Sequence, residues 1–141
     1  MAMKSINSRS LSAAAAVSLI CALLLADFAA ADPGTAGFFV PRSAATACPG
    51  RKGLGKLVAA ADILVFRGGK ACGQRFEVTC TGAGCKKGKK VVVEIVDTCS
   101  PTTNRPCQTL TLSRAAFAAI ANPNAGVVSV NFKQLTGNRN N

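Results

Sequence analysis

Six cysteines, Cys48, Cys72, Cys80, Cys85, Cys99 and Cys107, crowd the middle of a 141-residue chain, and a seventh, Cys21, lies far upstream of them. An even cysteine count in a small exported domain reads as a disulfide framework, which restricts the fold to something compact and stapled. A zinc site is disfavoured, because the chain has no histidine and no Cys-x-x-Cys pair to supply tetrahedral ligands. No metal and no cofactor are therefore expected. The count alone leaves the pairing open.

Whether those cysteines meet an oxidising compartment depends on the N-terminus. Lys4 and Arg9 open the chain, Leu11 to Ala26 form an apolar stretch, and Ala29 and Ala31 are the small residues a signal peptidase reads. The run is too short to span a bilayer comfortably and it ends at Asp27. Residues 1–31 are thus expected to be a signal peptide cleaved after Ala31, which also removes Cys21. Residues 32–135 would then form one domain, followed by a polar, disordered tail over 136–141. The expected product is secreted, monomeric and without a membrane span.

Seventeen Lys and Arg against six Asp and Glu give a formal charge of +11. Such a protein attracts anions: acidic polysaccharide, phospholipid headgroups or a negative receptor face. Nucleic acid would attract it equally, but export argues against that partner. The charge is most concentrated at Lys86, Lys87, Lys89 and Lys90, four lysines around Gly88 that read as a hairpin tip. Such a tip can serve as a solvated turn that blocks edge pairing, or as a dock for acidic wall polymer such as pectate. Arg51, Lys52 and Lys56 in the first long loop are candidates to extend it.

Periodicity gives mostly strands. Gly34 to Phe39 reads as a first strand, Arg75 to Cys80 alternates in period two, Val91 to Val96 is β-branched almost throughout, and Thr109 to Leu112 follows. Val128, Val130 and Phe132 alternate on one face of Gly126 to Leu135. Ser113 is an expected N-cap for a short helix over Arg114 to Ala121, which stops before Asn122-Pro123. Leu57 to Phe66 is apolar but short of turn signals.

Five stretches in order, GTAGFF, ACPG (47–50), ACGQRFEVTCTG (71–82), VVVEIVDTC (91–99) and TLTLSRAAFAAIANPNAG (109–126), resemble the plant natriuretic peptide family. Its members are relatives of the first expansin domain and are similar to family-45 endoglucanases and barwin. The resemblance covers Gly34 to Leu135. It implies an all-β fold, a six-stranded double-psi β-barrel with one or two short helices. It also implies the pairing Cys48–Cys72, Cys80–Cys85 and Cys99–Cys107.

The same resemblance frames the chemistry. Glycoside hydrolysis needs an acid and a partnering base or nucleophile. In the endoglucanase and expansin relatives a functional aspartate stands just before a Leu-Ser pair; here that pair is Leu112-Ser113 and the residue before it is Thr111. A threonine hydroxyl cannot protonate a leaving oxygen near neutral pH. Asp97 matches an aspartate the family keeps, and is the one weak catalytic candidate; a turn-capping role for it is the stronger expectation. Glu77 and Glu94 sit mid-strand, where solvation or pairing with Lys is expected. With no Trp and no Tyr, and Phe39 where the family usually shows Tyr, a sugar-gripping aromatic platform is not expected. The resemblance therefore implies a secreted, non-enzymatic signal for water and ion balance, acting in the apoplast through a cell-surface receptor. The active stretch would lie in the Cys48–Cys72 loop. A barwin-like defence or wall-binding protein is the alternative, and a weak hydrolase acting through Asp97 comes third.

Overall fold

The structure, a computed structural model, describes residues 30–39, 46–50, 56–99 and 107–136. Residues 1–29 of the expected signal peptide, Arg51, Lys52 and the tail beyond Thr136 lie outside the described residues.

Six strands close into a barrel in the order β1-β5-β2-β4-β3-β6. They are β1 Asp32–Phe39, β2 Val58–Ala61, β3 Arg75–Cys80, β4 Lys90–Thr98, β5 Leu110–Ser113 and β6 Val128–Gln134. The pairs β1/β5 and β2/β4 run parallel, whereas β2/β5, β3/β4, β3/β6 and β1/β6 run antiparallel. These interlocked parallel pairs inside an otherwise antiparallel closed barrel make the double-psi architecture, and closure leaves no edge strand open.

Alternation sorts the side chains. Ala36, Ala59, Ala61, Phe76, Val78, Val93, Ile95, Leu110, Leu112, Val130 and Phe132 all belong to the buried core cluster. Alanines on β1 and β2 face leucines on β5, so small and large residues interlock across neighbouring strands. Helix α2, Arg114–Ile120, covers one side of the barrel with Ala116, Phe117 and Ile120. Its N-cap is Ser113, whose Oγ accepts from Ala116 N at 3.3 Å. A one-turn helix α1, Ile63–Phe66, is capped by Asp62 through Val65 N at 2.8 Å. Both β2 and α1 come from the Leu57 to Phe66 stretch that the pattern left unassigned.

The cysteines pair as the resemblance implies: Cys48–Cys72, Cys80–Cys85 and Cys99–Cys107, with Cα separations of 5.5, 5.4 and 5.7 Å. Among the described residues no helix is long and apolar enough to cross a membrane.

Candidate functional site

Thr111 lies in β5 with its side chain on the outer wall, because Leu110 and Leu112 on either side point into the core. It is opposite Gly37 of β1 on one flank and Ala60 of β2 on the other. Ala60 in turn is opposite Asp97 of β4. Directly opposed residues share a face, so Gly37, Thr111, Ala60 and Asp97 form one outward row across four adjacent strands. The pairing jumps from Ala59↔Ile95 to Ala60↔Asp97, and this bulge at Val96 is what turns Asp97 to the outer wall. Phe39, half-buried, extends the row one step along β1.

Within the row Gly37 and Ala60 are buried and Thr111 and Asp97 half-buried. Two strand spacings put the Thr111 and Asp97 backbones about 10 Å apart. Asp97 Oδ1 accepts from Ala47 N at 2.8 Å and Thr98 N at 2.9 Å. The carboxylate thereby tethers the segment leading into Cys48, and Cys48–Cys72 closes beside it. Glu94 is on the same wall of β4, beside the row but not in it, opposite Val58 of β2 on one flank and Arg75 of β3 on the other. Among the described residues Asp97 is the one carboxylate in the row, and the opposing position is a hydroxyl.

Lys86, Lys87, Lys89 and Lys90 occupy the β3–β4 connection and the first residue of β4, all exposed. Gly88, at φ +70°, makes the turn. Asp97 is seven residues further along β4, about 23 Å away, so the basic turn and the row are separate surfaces. Nor are the four lysines equivalent. Lys86 Nζ donates to Ala118 O at the end of α2 and its backbone N donates to Ile120 O. Lys90 Nζ is 3.2 Å from Glu77 Oε2, and Lys133 Nζ is 3.6 Å from Glu77 Oε1. The Lys90 hydrogen bond, helped by the charges of Lys90 and Lys133, holds the Glu77 carboxyl below its ordinary value; partial burial opposes this. Lys87 and Lys89 have no ion pair among the described residues. Lys56 is exposed and gives its backbone carbonyl to Ser113 Oγ at 2.6 Å.

Sequence reasoning missed two features. One is the row itself, because the alanine-rich β2 that joins Thr111 to Asp97 carries little strand signal. The other is the unequal engagement of the lysines, which depends on contacts remote in sequence. No group of His, Cys, Asp or Glu able to hold a metal occurs among the described residues.

Comparison with known proteins agrees with this architecture. A double-psi β-barrel family described as lytic transglycolase matches residues 58–132. An EG45-like domain containing protein of Citrus jambhiri is 39% identical over 118 residues, covering 79% of this chain and 87% of that protein. EG45-like domain containing protein 2 of Arabidopsis thaliana is 36% identical, with coverages of 84% and 92%. Expansin-B4 of Arabidopsis thaliana is 33% identical, but the match spans 33% of its length. Among solved structures, the apo expansin of Clavibacter michiganensis superposes with a TM-score of 0.62 at 23% identity, covering 77% of this chain and 52% of that one. A mutant of the same expansin, solved in complex with cellohexaose, gives a TM-score of 0.57. The chain belongs to the EG45-like family of expansin-related double-psi β-barrel proteins.

Proposed function

We propose that this protein is a secreted, non-catalytic signal of the plant natriuretic peptide type, released to the apoplast and acting on a cell-surface receptor to adjust water and ion balance. The observation that carries the non-catalytic part is Thr111. It stands in the outward row where a general acid would have to be, while Asp97 across Ala60 is engaged with two backbone N–H groups. A lone tethered carboxylate lacks the acid and base pair that glycoside cleavage uses. The signalling part rests on similarity to the EG45-like proteins over most of their length. Two assays run side by side test the reading. Purified protein should swell protoplasts and release no reducing ends from cellulose, xyloglucan or peptidoglycan. Turnover that Asp97→Asn abolishes would replace this reading with the hydrolase.

A second reading is retention on wall polysaccharide. It is favoured by the exposed charges of Lys87 and Lys89. The related expansin that holds cellohexaose supports it as a precedent within the fold.

A further inference from the structure

The strands divide at one point in the chain. β1, β2 and β3 come before the Gly88 turn, and β4, β5 and β6 come after it. Around the barrel the two sets alternate without exception, β1-β5-β2-β4-β3-β6. Every ladder therefore joins a strand of the first half to a strand of the second. Neither half holds a strand pair of its own. The disulfides divide in the opposite way. Cys48–Cys72 and Cys80–Cys85 lie before the turn and Cys99–Cys107 after it, so among the described residues none crosses it. The backbone of the turn is the covalent link between two interdigitated halves.

That link is also basic and open. On its near side Cys85 forms a β-bridge with Ala121, Asn122 N donates to Gly84 O at 2.8 Å, and Lys86 N donates to Ile120 O at 2.8 Å. On its far side Lys90 enters β4 opposite Thr79, and its Nζ meets Glu77. Between these anchors Lys87, Gly88 and Lys89 are exposed, and the tip is closed by Lys89 N donating to Lys86 O at 3.2 Å. Among the described residues no partner takes the N–H of Lys87 or Gly88, and no atom lies within 4 Å of a Cβ built on Gly88. A protease must draw its substrate into an extended strand, and a tip held this lightly opens without disturbing a ladder.

We propose that the Gly88 turn is a proteolytic processing site, cut chiefly at the Lys87–Gly88 bond by a protease that selects a basic side chain. Water is the co-reactant. Its oxygen ends on the Lys87 carbonyl carbon as a carboxylate, and both its protons end on the Gly88 nitrogen as an ammonium. The product is a two-chain barrel, one chain ending at Lys87 and one beginning at Gly88, with every ladder retained. A unimolecular fold thereby becomes a bimolecular one, whose stability rises and falls with its own concentration. Cuts after Arg51, Lys52, Lys56 or Arg105 have no such effect. Each of those lies inside a disulfide loop, Cys48–Cys72 or Cys99–Cys107, that keeps the pieces joined.

The test begins with limited trypsin digestion of the purified protein, read by mass spectrometry without reductant. The first cut should fall between Lys86 and Val91. It should give two chains in denaturant that still elute as one species of the uncut size in native buffer. Melting of the cut form should drop by on the order of 5 °C for each tenfold dilution, while that of the uncut form stays fixed. Lys87→Gln with Lys89→Gln should slow cleavage in the turn about tenfold or more, because Lys86 and Lys90 are held by Ile120 O and Glu77. Protein recovered from plant cells expressing the full chain should contain the two-chain form. A first cut outside the turn overturns the site, as does a double variant cut as fast as the parent. Halves that separate in native buffer, or a cut form whose melting ignores dilution, overturn the two-chain barrel. Recovery of the uncut chain alone from plant cells overturns processing.

Discussion

Ser113 does two jobs with one hydroxyl, and its position shows how tightly single residues are used here. It ends β5, caps α2 through Ala116 N, and donates to Lys56 O, while only 2% of it is exposed. Ser113→Ala removes an N-cap and the donor to Lys56 O, so a loss of about 2 kcal/mol is expected from urea unfolding, with the slope unchanged. Gly84 is constrained in a different way. At φ +83° a side chain is strained, and an added Cβ would sit 2.7 Å from Ala125 Cβ. Gly84→Ala should therefore lower stability by more than about 1 kcal/mol, whereas Gly88→Ala, with no atom within 4 Å, should cost less. An equal loss at both positions would show that backbone conformation alone, and not the Ala125 contact, limits the turn.

At the scale of elements, Glu77 joins three strands, since β3 places it between Lys90 of β4 and Lys133 of β6. Its carboxyl is held below the ordinary value of 4.5, chiefly by the Lys90 hydrogen bond. A depressed carboxyl contributes stability above its unfolded value and loses it as the pH falls through the folded one. Glu77→Gln should therefore be less stable than the parent at neutral pH, and the two should converge in thermal melts as the pH falls below 4.5. A gap that widens in acid would reverse the assignment. High salt should narrow it at any pH, since these groups are partly exposed. Elements with alternation or a cap were legible in the sequence: β3, most of β4, β6, and α2 behind Ser113. Strand β2 was not, because Val58–Ala61 is buried throughout and alanine has little strand preference of its own. It is a strand only because β4 and β5 flank it. The outward row shared that fate, as the bulge at Val96 that presents Asp97 comes from pairing and not from local pattern.

Over the whole molecule, the closed barrel and its three disulfides fix a small core, while the lysines around the Gly88 turn are exposed on a chain of formal charge +11. Cys48–Cys72 closes the longest of the three loops, with a sequence separation of 24, and its removal should cost about 3 kcal/mol in the chain-entropy account. The surface charge is a separate matter, because attraction to an acidic polymer depends on which cations remain available. Lys86 is engaged with the end of α2 and Lys90 with Glu77, leaving Lys87 and Lys89 at the Gly88 turn. Retention on pectate should fall steeply with added salt, since exposed charges are screened beyond about 8 Å at physiological ionic strength. The pair Lys87→Gln and Lys89→Gln should reproduce most of the loss seen when all four lysines are neutralised. Lys86→Gln should instead lower the melting temperature, because it removes a cation from a helix C-terminus. If Lys86→Gln and Lys90→Gln together weaken retention more than the turn pair does, the polymer outcompetes Ala118 O and Glu77 for those two ammonium groups. The binding surface would then run along β4 and not at the tip.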